Sequence, residues 1–148
     1  MLQIFKRYVD IIAIIRSNFL KKYFYKCGVG FRIGRLNRLY GIKNVIIKNN
    51  VTISDGAYIN CLESINKITL TIGNNVHIGR FSQINAYENV VIEDDVLISD
   101  NVFISDCTHD IRDISQPIKS KNDYFSGGVI IGHSSWIGKN VTILPGVS

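Results

Sequence analysis

The sequence predicts an all-β fold: a parallel β-helix of about four to five coils, preceded by an amphipathic helix. Three observations predict it. Isoleucine recurs every six residues, a small or β-branched residue follows four positions later, and a turn-forming residue stands just before that second slot.

Isoleucine occupies Ile47, Ile53 and Ile59, then Ile72, Ile78 and Ile84, then Ile92, Ile98 and Ile104, then Ile131, Ile137 and Ile143. Nine hexads run uninterrupted, with Val51, Ala57, Val76, Ser82, Val96, Val102, Ser135, Val141 and Val147 in the second slot. Asn50, Gly56, Asn75, Asp95, Asn101, Asn140 and Gly146 precede seven of those nine. These residue types tolerate positive φ. The pattern spells a short strand, a tight turn and a short strand. A period of six is neither helical nor simple alternation. No unit can bury its own isoleucine, so the units must stack. Three hexads make one coil, and the four isoleucine triplets make four. Ile33 and Leu39 begin a fifth, less regular one. At about 4.8 Å per coil the stack stands roughly 20 Å tall.

The pattern breaks in three places. Residues 60–71 and 85–91 lengthen corners, and residues 107–128 form an insertion closed by Gly127-Gly128. A long excursion from a regular solenoid marks function. Ahead of the repeat, Phe5, Tyr8, Ile12, Ile15, Phe19 and Tyr23 follow 3-4 spacing, with no Gly or Pro before Gly28. That spacing predicts an amphipathic helix over 2–26, ringed by Lys6, Arg7, Lys21, Lys22 and Lys26. Its expected role is a cap on the first coil. Docking on an anionic membrane face is a second expectation, and both can hold. The chain thus divides into a helical cap, 1–26, and a β-helix, 27–148, carrying the loop 107–128.

With 148 residues, 46% of them hydrophobic and 20% charged, and only two prolines, the chain has the makings of one packed domain rather than a disordered segment. The net charge of +5 is unevenly spread: residues 1–50 hold eleven Lys/Arg and one acid, and the remainder six Lys/Arg and eleven acids. The basic stretch carries no recognisable nucleic-acid-binding module, which argues against nucleic-acid binding. Cys27, Cys61 and Cys107 have no CxxC spacing and read as reduced, half-buried hydrophobes of a cytoplasmic protein. No secretory signal is evident. The run Ile11 to Ile15 is stopped by Asp10 and Arg16, far short of the roughly 20 residues of a membrane span. The expected location is the cytoplasm, at most peripheral on the inner membrane face.

Two strings and one histidine carry chemistry. The strings are His77-Ile78-Gly79-Arg80 running to Asn85, and Ser135-Trp136-Ile137-Gly138 running to Ile143-Leu144-Pro145-Gly146-Val147. The histidine is His109, five residues past Ile104 at the root of the insertion. Over roughly residues 45–148 the repeat and these landmarks resemble the hexapeptide-repeat acyltransferases, nearest to the maltose/galactoside O-acetyltransferases and the polysaccharide O-acetyltransferases. The resemblance implies a left-handed prism, since periodicity says nothing of hand. It implies a homotrimer with active sites between neighbours, acetyl-CoA as co-substrate and no metal. The expected reaction moves an acetyl group to a sugar hydroxyl, in the synthesis of a surface polysaccharide such as capsule, O-antigen or exopolysaccharide.

Such a transfer needs a base for the alcohol, a donor to the developing oxyanion, and both substrates held together. Histidine is the natural base near neutral pH. His77 and His133 fall inside regular hexads as outward surface residues; His109 matches the family's catalytic histidine. Asp106 is expected to orient its ring, with Asp110 and a backbone carbonyl as alternatives. Asn85 matches the acceptor-binding asparagine, whose amide both donates to and accepts from a sugar hydroxyl. Gln83 stands where the sugar acetyltransferases carry a tyrosine, a departure that leaves the acceptor's identity open but not its class. The resemblance places the Lys139 N–H on the thioester oxygen, with Ser135, Trp136 and Gly138 lining the pantetheine groove; plain edge packing is the alternative for Trp136. Relatives continue past the position of Ser148 with a segment that contacts CoA, which leaves two readings open: a truncated form, or a whole chain with weakened CoA affinity and trimer stability. Three rival readings remain. A zinc hydratase of the γ-carbonic-anhydrase type needs a close histidine pair, and the gaps here are 32 and 24 residues. A serine acetyltransferase carries a much larger helical N-terminal domain. An inert or truncated scaffold is the alternative that an assay must exclude.

Overall fold

A computed structural model of the chain describes residues 2–63, 67–112 and 114–148, with side chains from Ile11 onward in the N-terminal helix. Met1, positions 64–66 of the first lengthened corner, Asp113 of the insertion and the side chains of Phe5, Lys6, Arg7 and Tyr8 lie outside the described residues.

The chain winds as a left-handed parallel β-helix of five coils with three faces. The first face stacks Lys26–Cys27, Val45–Ile47, Leu70–Ile72, Val90–Ile92 and Val129–Ile131. The second stacks Arg32–Ile33, Thr52–Ile53, His77–Ile78, Leu97–Ile98 and Trp136–Ile137, and the third Arg38–Tyr40, Tyr58–Cys61, Gln83–Ala86, Phe103–Ser105 and Thr142–Ile143. The isoleucines stand in register columns: Ile47, Ile72, Ile92 and Ile131 pair in turn, as do Ile53, Ile78, Ile98 and Ile137, and Ile59, Ile84, Ile104 and Ile143. Eleven of the twelve are buried, and Ile137 is half-buried. It lies in the fifth coil. Burying an isoleucine is worth about 1.5–3 kcal/mol, so the columns supply the main driving force for the stack.

The second slot turns the corners. All seven residues expected to tolerate positive φ adopt it, from 55° at Asn75 to 84° at Gly146. Phe81 and Ser134, which complete the nine, adopt it too, at 57° and 58°. The coil geometry therefore overrides residue preference there, at a cost of roughly 1–2 kcal/mol for a bulky side chain. One corner is reinforced by an amide ladder, in which Asn50 donates to Asn75 at 3.1 Å and Asn75 to Asp95 at 2.8 Å.

The N-terminal helix α1, Leu2–Leu20, ends earlier than the expected 26, passing through a 3-10 turn at Lys21–Tyr23. Lys26 already pairs with Ile46 in the first coil. Among the described residues, the helix docks through Leu20, which packs against the core, and through two polar groups at Ile33. Ser17, fully buried, accepts a hydrogen bond from the Ile33 N–H at 2.9 Å, and the Arg16 guanidinium donates to the Ile33 carbonyl at 3.1 Å. The edge of the first coil is thereby satisfied at Ile33. Ile12, Ile15, Phe19 and Tyr23 stay exposed, Ile15 at 64%. Among the described residues no helix is long and apolar enough to cross a membrane.

Candidate active site

His109 closes the short strand Cys107–His109, which leaves the third face at the end of its fourth strand and starts the insertion. The return strand, Asp123–Phe125, pairs with it antiparallel, so that His109 lies opposite Asp123. That register puts the Asp123 carboxylate on the His109 Nδ1. The other Asp123 oxygen accepts from the Tyr87 hydroxyl at 3.0 Å. Burial first, and then the Asp123 carboxylate, push the Tyr87 hydroxyl up to about 12, so it remains a donor across the neutral range. A carboxylate on Nδ1 holds the imidazole in the tautomer whose Nε2 carries the lone pair, the form required of a base.

Asp106 does something else. Its fully buried carboxylate accepts the backbone N–H groups of Tyr87, Glu88 and Asn89 at 2.7, 2.8 and 2.7 Å. Its own carbonyl accepts from Ser126 N–H at 2.9 Å. The expected orienting role thus falls to Asp123. Asp106 is instead the knot that ties the corner at Tyr87 to both ends of the insertion. Asp110 faces Arg112, which donates to it twice at 2.9 Å. That pairing holds the Asp110 carboxyl well below the usual carboxylate range. Gly127 sits at φ 143°, and a Cβ there would stand 3.0 Å from the Gly146 nitrogen, so only glycine lets the loop return across the last coil.

Two clefts flank His109. The first, about 430 Å³, is lined by Asn85, Phe103, Ser105, Asp123, Leu144 and Pro145, among others. Asn85 therefore shares a cavity with the imidazole, and Gln83 donates to the Asn85 amide oxygen at 3.3 Å, fixing its orientation. Cys107 also lines it, but burial raises its thiol, so it is no ready nucleophile. The second cleft is about 740 Å³ and lies on the other side of the imidazole, against Tyr87 and the insertion.

The remaining expected residues lie elsewhere. Trp136 projects from the second face, 74% exposed, with its indole N–H on Ser99 Oγ at 3.1 Å. Ser135 and Gly138 are half-buried beside it, and Lys139 is exposed at the following turn. None of the four lines either cleft. His77 and His133 are exposed on the second face and at a turn. Among the described residues, no group of three His, Cys, Asp or Glu side chains converges as a metal site would require. Sequence reasoning missed Asp123 and Tyr87, because the hairpin register and a corner contact across 36 residues leave no local signal.

Fold and site together define the class: a left-handed β-helix carrying a carboxylate-held histidine on an inserted hairpin. Solved structures with this fold include AntD, an N-acyltransferase from Bacillus cereus. Its complex with dTDP and 3-hydroxybutyryl-CoA is 23% identical with a TM-score of 0.72, over 89% of this chain and 70% of that one. A point mutant with dTDP and coenzyme A is 23% identical at 0.71, over 88% and 69%. Another, with dTDP-4-amino-4,6-dideoxyglucose and coenzyme A, is 24% identical at 0.68, over 89% and 70%. Identity at this level establishes a shared fold. No protein-family model and no curated protein matches the chain.

Proposed function

We propose that the chain is an acyl-CoA-dependent acyltransferase that moves an acetyl group to a sugar hydroxyl during surface-polysaccharide synthesis. The observation that carries this reading is the Tyr87–Asp123–His109 chain, which ends on a solvent-facing imidazole between two clefts. Asn85 positions the acceptor hydroxyl. His109 Nε2 takes its proton as the oxygen attacks the thioester carbonyl carbon. The Lys139 N–H of a neighbouring copy stabilises the oxyanion, and the imidazolium returns its proton to the departing CoA thiolate.

Because Ser135, Trp136, Gly138 and Lys139 lie on a different face from His109, a site needs two copies, and a closed ring of three supplies them. The likeness to AntD supports a CoA thioester as donor and a sugar as acceptor. It also favours a second reading, in which the acceptor is an amino sugar and the product an amide. Ile12, Ile15, Phe19 and Tyr23, exposed beside Lys21, Lys22 and Lys26, suit contact with the anionic inner face of the cytoplasmic membrane.

Thiol release from acetyl-CoA, with hydroxyl sugars in one arm and amino sugars in the other, tests the activity. The expected result is acceptor-dependent release that His109→Ala lowers by about 10²–10⁴. No release with any acceptor would establish the inert-scaffold alternative, and undiminished release by the variant would remove His109 as base. A light-scattering mass of one chain would refute the shared site. Flotation with anionic vesicles, comparing the chain with and without residues 1–26, tests the membrane contact; equal flotation refutes it.

A further inference from the structure

The basic character of the first fifty residues has no part in the transfer chemistry. Eleven Lys/Arg and one acid fall there, and three of the arginines line one cavity. It has a volume of about 200 Å³ and lies where α1 meets the first two strands of the second face. Arg16 comes from α1, Arg32 from the first of those strands, and Arg35 from the turn that follows it. The one acid in the lining is Asp55. One oxygen of its carboxylate accepts the Arg35 backbone N–H at 2.6 Å.

Among the described residues no ion pair neutralises these arginines. Arg16 donates to the Ile33 carbonyl through Nε at 3.1 Å and Nη2 at 2.5 Å, and Arg32 to the Phe31 carbonyl through Nη1 at 3.0 Å. A carbonyl accepts hydrogen bonds without cancelling a charge, and five N–H donors per guanidinium leave several on each side chain unused. The Arg35 guanidinium has no partner among the described residues. Three guanidiniums against one carboxylate give the cavity a positive field, which a concave surface of low dielectric concentrates. The guanidinium fork matches the oxygens of a phosphate. Ile12 lines the same cavity and is nevertheless 55% exposed. Ile15 and Phe19 follow it at three and seven positions along α1, also exposed, and the Lys22 ammonium stands 4.6 Å over the Phe19 ring. A free phosphate would leave those apolar side chains in water, whereas a phosphate attached to acyl chains uses both features.

Resting on the membrane contact of α1, we propose that this cavity seats the phosphate of an anionic phospholipid headgroup, held by Arg16, Arg32 and Arg35, with Ile12, Ile15 and Phe19 beside the acyl chains. The seat adds a fixed anchor to the diffuse attraction of Lys21, Lys22 and Lys26, and so sets which side of the first coil meets the bilayer.

Isothermal titration of the full chain with dihexanoyl phosphatidylglycerol, below its micellar concentration, and with inorganic phosphate tests the seat. Flotation with phosphatidylglycerol vesicles tests the membrane contact. Wild type is expected to bind the lipid more tightly than inorganic phosphate, and to bind it more weakly as salt rises. Arg32→Gln with Arg35→Gln should bind the lipid roughly tenfold or more weakly. Thr52→Glu, which sets a carboxylate in the lining and keeps every arginine, should weaken it likewise. Lys43→Gln with Arg80→Gln, an equal change of charge at exposed residues outside the cavity, should bind as wild type does. No binding by wild type, or equal binding by both cavity variants, overturns the proposal, and inorganic phosphate bound as tightly as the lipid overturns the lipid as its source. Thiol release from acetyl-CoA should be the same in wild type and in Arg32→Gln with Arg35→Gln; its loss would assign the cavity to the CoA donor and overturn the lipid seat. A chain that floats but binds lipid independently of the arginines keeps the membrane contact and loses the seat. One that binds lipid through the arginines but does not float loses the membrane contact alone.

Discussion

Replacing Asp106 with asparagine keeps the side-chain shape and removes one acceptor oxygen and the charge. In the native corner one carboxylate oxygen takes the Glu88 and Asn89 N–H groups, and the other takes Tyr87 N–H. Asparagine can keep the first pair, but its NH₂ then faces the Tyr87 N–H, donor against donor. One buried N–H left unpaired costs about 1–3 kcal/mol. Losing the charge on the two surviving bonds adds about 1–2 kcal/mol. The sum, about 2–5 kcal/mol, corresponds to a fall in Tm of roughly 4–20 °C for a domain of this size. Asp123→Asn is the counterpart. Asp123 is partly exposed, so its loss should change stability by less than about 1 kcal/mol. It should nevertheless lower kcat at least roughly tenfold, by releasing the imidazole from its tautomer. Thermal unfolding followed by circular dichroism, beside thiol-release kinetics, separates the two. An Asp106→Asn protein that melts like wild type but has lost turnover would refute this division of roles.

Other expectations follow from the same contacts. Burial, and then the Asp123 carboxylate, push the Tyr87 hydroxyl up to about 12, above an ordinary tyrosine. A group with a raised folded pKa stabilises below its unfolded pKa, and that stability is lost as pH rises toward the folded value. Ultraviolet titration should therefore show one tyrosine ionising late, alkaline pH from about 10 to 12 should erode stability, and Tyr87→Phe should abolish the late step; an unchanged titration curve counts against the Tyr87–Asp123 bond. Ile98→Ala, in mid-column and fully buried, should cost about 3–5 kcal/mol in urea unfolding, and Ile137→Ala, half-buried in the last coil, about 1–2 kcal/mol. Equal losses would mean that the columns do not carry the stability. Ser17→Ala leaves the Ile33 N–H without its partner, at about 1–3 kcal/mol. Trypsin should then cut after Arg16 or Lys21 faster than in wild type, and an unchanged rate would show that α1 is held some other way.

The coils were legible because their cause is local. A slot every six residues that must point inward, and a turn residue before the next, are properties of neighbouring positions. Stacking identical slots then sets the register with little freedom, since a slip of one residue would turn every isoleucine outward. The position of His109 at the root of the insertion was readable for the same reason: regular repeats make any departure visible. Even Phe81 and Ser134, which lack the turn-forming residue type, take the left-handed conformation that the neighbouring coils impose.

Other features depended on partners remote in sequence. Asp106 is nearer His109 along the chain than Asp123 is, yet three backbone donors at the Tyr87 corner claim its carboxylate. Asp123 reaches the imidazole only because the insertion folds back as an antiparallel pair. Ile12, Ile15 and Phe19 match the pattern of a packed helix, but Leu20, a serine and an arginine make the contact, the last two because the first coil offers an unpaired N–H and C=O. The sequence by itself determined the rod, through a repeating inward slot whose burial needs no distant partner. Only the tertiary structure decided which carboxylate holds the histidine and which face of the helix stays free, because unpaired backbone groups claimed the obvious side chains first.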